Sequence, residues 1–261
     1  MIRWVVERHR AQGPLSELVA ELADADDVVP LLALAVLFSV GPSSLMPEYP
    51  SEVRIALTIL LGVALGVIAA MLLRGPFREH DAWGVILGTS LLAFGLADAL
   101  SISTLTVAFT MGLTINVLSA HAQTIRTMVA PTERPIMLPA LLLAGARVDW
   151  AHAPNLWVIA MVALAARFAG KMVAGLTLRK LAHAASGTSP ILGAGLVSSG
   201  ALSIGIGLTI AYRFPGQIGD TVLATAAILQ LAGEFIGPAS LKSALISAGE
   251  IATPSAEEAP A

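Results

Sequence analysis

Apolar residues in this chain gather into long runs, separated by clusters of charge and proline. The runs lie within residues 15–40 and over 53–73, 83–100, 104–122, 136–146, 156–178, 191–212, and 222–236 or a little beyond. None shows the two-residue alternation of a half-buried strand. About 20 apolar residues cross a bilayer as a helix, and only helices and closed barrels satisfy every backbone amide in lipid. The pattern predicts an all-α, polytopic membrane protein with about eight transmembrane helices. The run over 136–146 is too short to cross alone and is expected to begin in the polar segment before it.

Composition strengthens that expectation. Hydrophobic residues make up 56% of the 261 and charged residues 13%, with a mean hydropathy of +0.80, where a soluble chain carries roughly 25% charge. The basic residues test the number of spans. If successive loops alternate between two faces, ten of the 15 Lys and Arg fall on the first face and three on the second: Arg54, Arg147 and Arg213. The other two, Arg167 and Lys171, lie inside the run over 156–178. That asymmetry follows the positive-inside rule and puts both termini in the cytoplasm. Dropping a middle span would scramble it.

Other classes are excluded by what the chain lacks. A net charge of −3 argues against a nucleic-acid partner. The absence of cysteine removes a disulfide framework, a thiolate metal site and a cysteine nucleophile together. The N-terminal MIRWVVERHRAQGP is charged and has no apolar core, so no cleavable signal peptide is expected. The tail TPSAEEAPA is acidic and proline-bearing and is expected to be disordered.

The residues that could carry chemistry are few. Arg167 and Lys171 stand four apart, on one face of a run otherwise built mostly of Leu, Val, Ala, Met, Phe and Gly. Arg167 is the midpoint of 156–178, and Lys171 lies about 6 Å further along. Either the span is drawn wrongly and both reach a headgroup layer, or they are functional cations facing a polar cavity or a carboxylate. The candidate carboxylates are Asp26 and Asp27, in LADADDVVPLLALAVLF. If a helix starts near Leu15 the pair lies about 17 Å into it. If instead a helix starts at Val28, the pair is an ordinary N-cap and Pro30 sits in the first turn.

The run ILGAGLVSSGALSIGIGLTIAY holds Gly193, Gly195, Gly200, Gly205 and Gly207 with Ser198, Ser199 and Ser203. That composition weakens the helix centre and suits either a broken helix lining a midplane site or close packing by small residues. Gly62 and Gly66, and Gly233 and Gly237, are four apart, a packing spacing. Glu234 and Asp98 fall near the ends of their runs and read as interfacial. HExxH, GxGD and GxSG are all missing, and His9, His80, His121, His152 and His183 lie in or beside loops without ligand spacing. No enzyme, no metal site and no cofactor is expected.

Taken in order, these segments resemble the cation:proton antiporter family of the sodium/hydrogen exchanger superfamily. DADDVVPLLALAVLF resembles the family's aspartate-pair helix and AFGLADALSISTLTVAFTMGLTI its first scaffold helices. RPIMLPALLLAGARVDW resembles the segment ending in a glycine-containing turn, and ARFAGKMVAG the lysine-bearing helix. GAGLVSSGALSIGIGL resembles the second broken helix and LAGEFIGPASLKSALISAGE the closing segment. The resemblance covers the family from the aspartate-pair helix onward, so most of the first half of its inverted repeat has no counterpart here. It implies a partial inverted-repeat antiporter fold.

The same resemblance implies monovalent cation:proton antiport, with Asp27 as the ion-binding carboxylate and Asp26 as the salt-bridge partner of Lys171. Arg167, Ser198 and Ser199 are further candidates. By the same resemblance, residues 1–14 form a cytoplasmic segment and 15–74 the aspartate-pair helix and a linker helix. Residues 75–152 would be scaffold and dimerisation helices, 153–250 core transport helices, and 251–261 a disordered tail. The partners implied are a monovalent cation, a proton, membrane lipid, and either a second copy of the chain or a second polypeptide carrying the missing N-terminal spans. The alternative is a non-transporting membrane subunit, or a decayed fragment, that packs against a partner. A channel is disfavoured because nothing lines a continuous polar path. The choice between Na⁺, K⁺ and Li⁺ is not legible in the residues.

Overall fold

The computed structural model describes residues 2–40, 50–74, 79–147, 155–182, 185, 189, 191–197 and 202–251. Every regular element among them is helical, from α1 (Ile2–Arg8) to α11 (Gln217–Ser247). The chain divides into two compact units.

Residues 28–139 form one unit. It holds α3 (Val28–Val40), α4 (Ser51–Leu72), α5 (Glu79–Ala99), α6 (Thr104–Leu118) and most of α7 (Ala122–Arg147). Its core is a cluster of Leu65, Ala69, Leu73, Ala93, Ala97, Val107, Met111 and Ile115 with their neighbours. α4 and α6 approach closely because Gly62 and Gly66 carry no side chain. A Cβ on Gly62 would lie 2.6 Å from the Val107 carbonyl oxygen, and one on Gly66 2.7 Å from that of Met111. Packing is thus what the four-residue glycine spacing in α4 achieves. Ser103 caps α6 by accepting from the Thr106 amide at 3.3 Å. The Thr106 hydroxyl donates to the Leu31 carbonyl of α3 at 2.8 Å, so a cap and a helix contact share one buried pair of hydroxyls.

Residues 1–27 and 140–261 form the other unit. It holds α1, α2 (Pro14–Asp26), the end of α7, α8 (Leu156–Leu181), α9 (Leu192–Gly195), α10 (Leu202–Arg213) and α11. One cluster joins Ile2, Val5, Leu15 and Val19 to Leu192, Leu196, Leu241 and Leu245. A second joins Ala144 and Leu156 to Ala211, Leu223 and Ala224.

Many large apolar side chains face outward. Leu142 and Leu143 are 75% and 72% exposed and Phe235 82%, which water would not tolerate over so wide a surface. Among the described residues, four helices are long and apolar enough to cross a membrane: α4, the Asp81–Ala99 part of α5, α8 and α11. α6 and α10 are shorter apolar helices. The protein is all-helical and polytopic in a membrane.

Several expected runs change their bounds. The apolar stretch within 15–40 is two helices, the second starting at Val28 as one of the two sequence readings has it, because Pro30 has no amide to give the Asp26 carbonyl and its ring crowds that carbonyl. The short run over 136–146 is the end of the 26-residue α7. Pro131, Pro135 and Pro139 each delete one backbone bond, but at four-residue spacing the losses fall along one side, and the helix continues. The last run extends from 222–236 to the 31 residues of α11, and Pro238 does not end it.

Candidate functional site

The acid pair sits where α2 stops. Asp27 is the single residue between α2 and α3, and its backbone stays helical at φ −73°, ψ −19°, with its amide turned to the Ala25 carbonyl. An N-cap residue holds extended angles instead, so Asp27 does not have the backbone of a cap for α3. The unit boundary falls immediately after it.

α8 supplies the cations. Its 26 residues contain Arg167 and Lys171 on either side of the midpoint, so neither lies near a helix end. Lys171 Nζ donates to the Asp26 carboxylate at 2.5 Å, with the Lys171 side chain 18% exposed and that of Asp26 48%. Arg167 Nε donates to the Val197 carbonyl at 3.1 Å, just beyond α9. Both Asp26 and Asp27 exert electrostatic attraction on Arg167. Two acids from the end of α2 and two bases from the middle of α8 therefore share one small region of the same unit.

Glycines set the height of those bases. A Cβ on Gly175 would lie 2.5 Å from the Gly193 Cα and amide nitrogen, and one on Gly193 2.6 Å from the Lys171 carbonyl oxygen. Contact this close presses α9 against the turn of α8 that carries Lys171. The sequence shows glycine density in the segment over 191–212 but gives no sign that Gly193 meets Gly175, since the partner lies on another helix.

Ser198 and Ser199 lie outside the described residues, between α9 and α10. Glu234, expected near a span end, is interior to α11 instead. The helix runs 13 residues beyond it to Ser247, and Gln230 Nε2 donates to its carboxylate at 2.9 Å. The helix runs through the glycine–proline pair at 237–238. Asp98 does lie at a helix end, one residue before the last of α5.

The family model described as "Sodium/hydrogen exchanger, transmembrane" matches residues 1–245 of the chain. No curated protein and no solved structure matches it.

Proposed function

Because the chain belongs to the sodium/hydrogen exchanger family, a family of membrane transporters, we propose that it works in monovalent cation:proton antiport, with Asp27 as the ion-binding carboxylate. The observation that carries this reading is the Lys171–Asp26 ion pair at the end of α2. It joins one acid of the doublet to a cation from the middle of α8 and so places the doublet beside that helix.

A carboxylate in a low-dielectric cavity takes a proton or a cation, not both, and that competition is the basis of exchange. If the site opens alternately to each side of the membrane with one ion at a time, proton movement in one direction drives cation movement in the other. That residues 1–27 and 140–261 form one compact unit supports a moving core that carries the acid pair, Lys171 and Arg167 together. Ser198 and Ser199 are proposed as oxygen ligands from the segment between α9 and α10. The distribution of basic residues supports cytoplasmic termini. Half of the Asp26 side chain surface is open, which suits a site finished by further spans, from a second copy or another polypeptide. The same open face suits a non-transporting subunit that packs against a partner, and one experiment separates the two.

In vesicles containing the complete transporter, a cation pulse should move protons, and Asp27→Asn should abolish the movement. Unchanged exchange in that variant would make Asp27 a structural residue and leave the subunit reading in place.

A further inference from the structure

The far end of α2 is gripped by an acid from the other end of the chain. α11 finishes at Ser247, and Gly249 then takes a left-handed conformation with φ +75°. The Gly249 amide bonds the Ile246 carbonyl and the Glu250 amide that of Leu245, both at 3.0 Å. This is the double closure of a helix C-terminus that glycine in the left-handed region permits. It turns the chain back and aims Glu250 at the first turn of α2.

There the carboxylate finds a fitted seat. One oxygen accepts from the Leu15 amide at 2.6 Å and the other from the Ser16 amide at 2.8 Å. The Gln12 amide bonds the Glu250 carbonyl at 3.4 Å. A Cβ on Gly13 would lie 2.6 Å from the Glu250 Cγ and closer still to its carboxylate, so the missing side chain at residue 13 is the space the acid occupies. Below the seat, Leu15 and Val19 pack with Leu241, Leu245 and Ile251 in one cluster. Amides at a helix start are unsatisfied within the helix and welcome negative charge. Here the charge comes from 235 residues away.

We propose that Glu250 is a positioning residue for the acid pair: by seating its carboxylate on the Leu15 and Ser16 amides, it fastens α2 to the end of α11, so that Asp26 and Asp27 are held at a fixed height against Lys171 and Arg167. α2 has 13 residues, about 20 Å of rigid rod. Its C-terminal end meets Lys171, and the Glu250 seat fixes the N-terminal end, which the packing of Leu15 and Val19 alone would leave freer to slide or fray. The inference rests on the antiport reading for its consequence but not for its structural core.

The test uses two readouts. In the full chain in detergent, Glu250→Ala should speed amide hydrogen exchange along the whole of α2 as far as Asp26, and Glu250→Gln, which keeps one acceptor oxygen, should restore part of the protection. In vesicles with the complete transporter, Glu250→Ala should raise the cation KM about fivefold, the effect of losing one helix cap, with little change in maximal rate per folded molecule. Faster exchange confined to Leu15 and Ser16 would overturn the proposal, as would a KM that stays the same while only the amount of folded protein falls. If the wild-type vesicles show no exchange, the antiport reading fails, and the amide pattern still decides whether Glu250 positions α2.

Discussion

Lys171 and Asp26 are 145 residues apart in the chain and 2.5 Å apart in space. The exposures of 18% and 48% put the pair between a surface ion pair and a buried one. Its strength follows from that intermediate position. Removing the lysine leaves Asp26 with Arg167 as a neighbouring cation and with part of its surface open rather than sealed, so the loss is smaller than for a fully buried pair.

Lys171→Ala should therefore destabilise the chain by about 1–2 kcal/mol, and Asp26→Asn made together with it should recover part of that. Thermal unfolding of the four variants of the cycle in detergent measures it. A double variant no more stable than Lys171→Ala would mean that the two side chains contribute independently.

The glycine contact behind Lys171 gives a sharper contrast within one helix. A methyl group at position 175 meets the backbone of Gly193, which cannot step aside, while at position 170 nothing lies within 4 Å. Gly175→Ala should cost about 1–3 kcal/mol through overpacking. Gly170→Ala should be neutral or slightly stabilising through helix propensity. Equal effects in the two variants, read from unfolding midpoints, would mean that α9 does not press on α8.

Much of this was legible in the sequence where charge or proline punctuates apolar runs. The bounds of α4, α6 and α8 begin within two residues of the runs that predict them, because Pro50, Ser103 and the polar segment before Leu156 interrupt hydropathy. The break at Asp27 was one of the two readings the residues allowed, a helix starting at Val28 with Pro30 in its first turn, and the missing Pro30 amide, traced back four residues, marks it. α7 and α11 were cut short because Glu133, Arg134, the prolines and Gly237 look like loop to a hydropathy window, while the helices run through them. The seat of Glu250 on α2 left no local signal, since its two halves lie at opposite ends of the chain.

The open face of Asp26 leads to a further expectation. In exchanger folds the broken helices meet at the interface of two repeats, and backbone groups left unpaired in lipid cost several kcal/mol each. Reconstituted alone, the 261-residue chain should give no cation-driven proton movement, and exchange should appear when a second polypeptide supplies further spans. Robust exchange by the chain alone would mean that it forms a complete site, across two copies or within one. If no complement restores exchange, the non-transporting subunit becomes the better reading.

Competition between a proton and a cation for Asp27 is the central claim, and counting protons released on cation binding tests it most directly. Calorimetric titration of the complete transporter with Na⁺, K⁺ or Li⁺, in buffers of different ionisation heat, reads that number at each pH. At a pH where the site holds its proton, the wild type should release about one proton for each cation bound, and Asp27→Asn should neither bind the cation nor release a proton. Cation binding without proton release in the wild type, or unchanged release in Asp27→Asn, would contradict it.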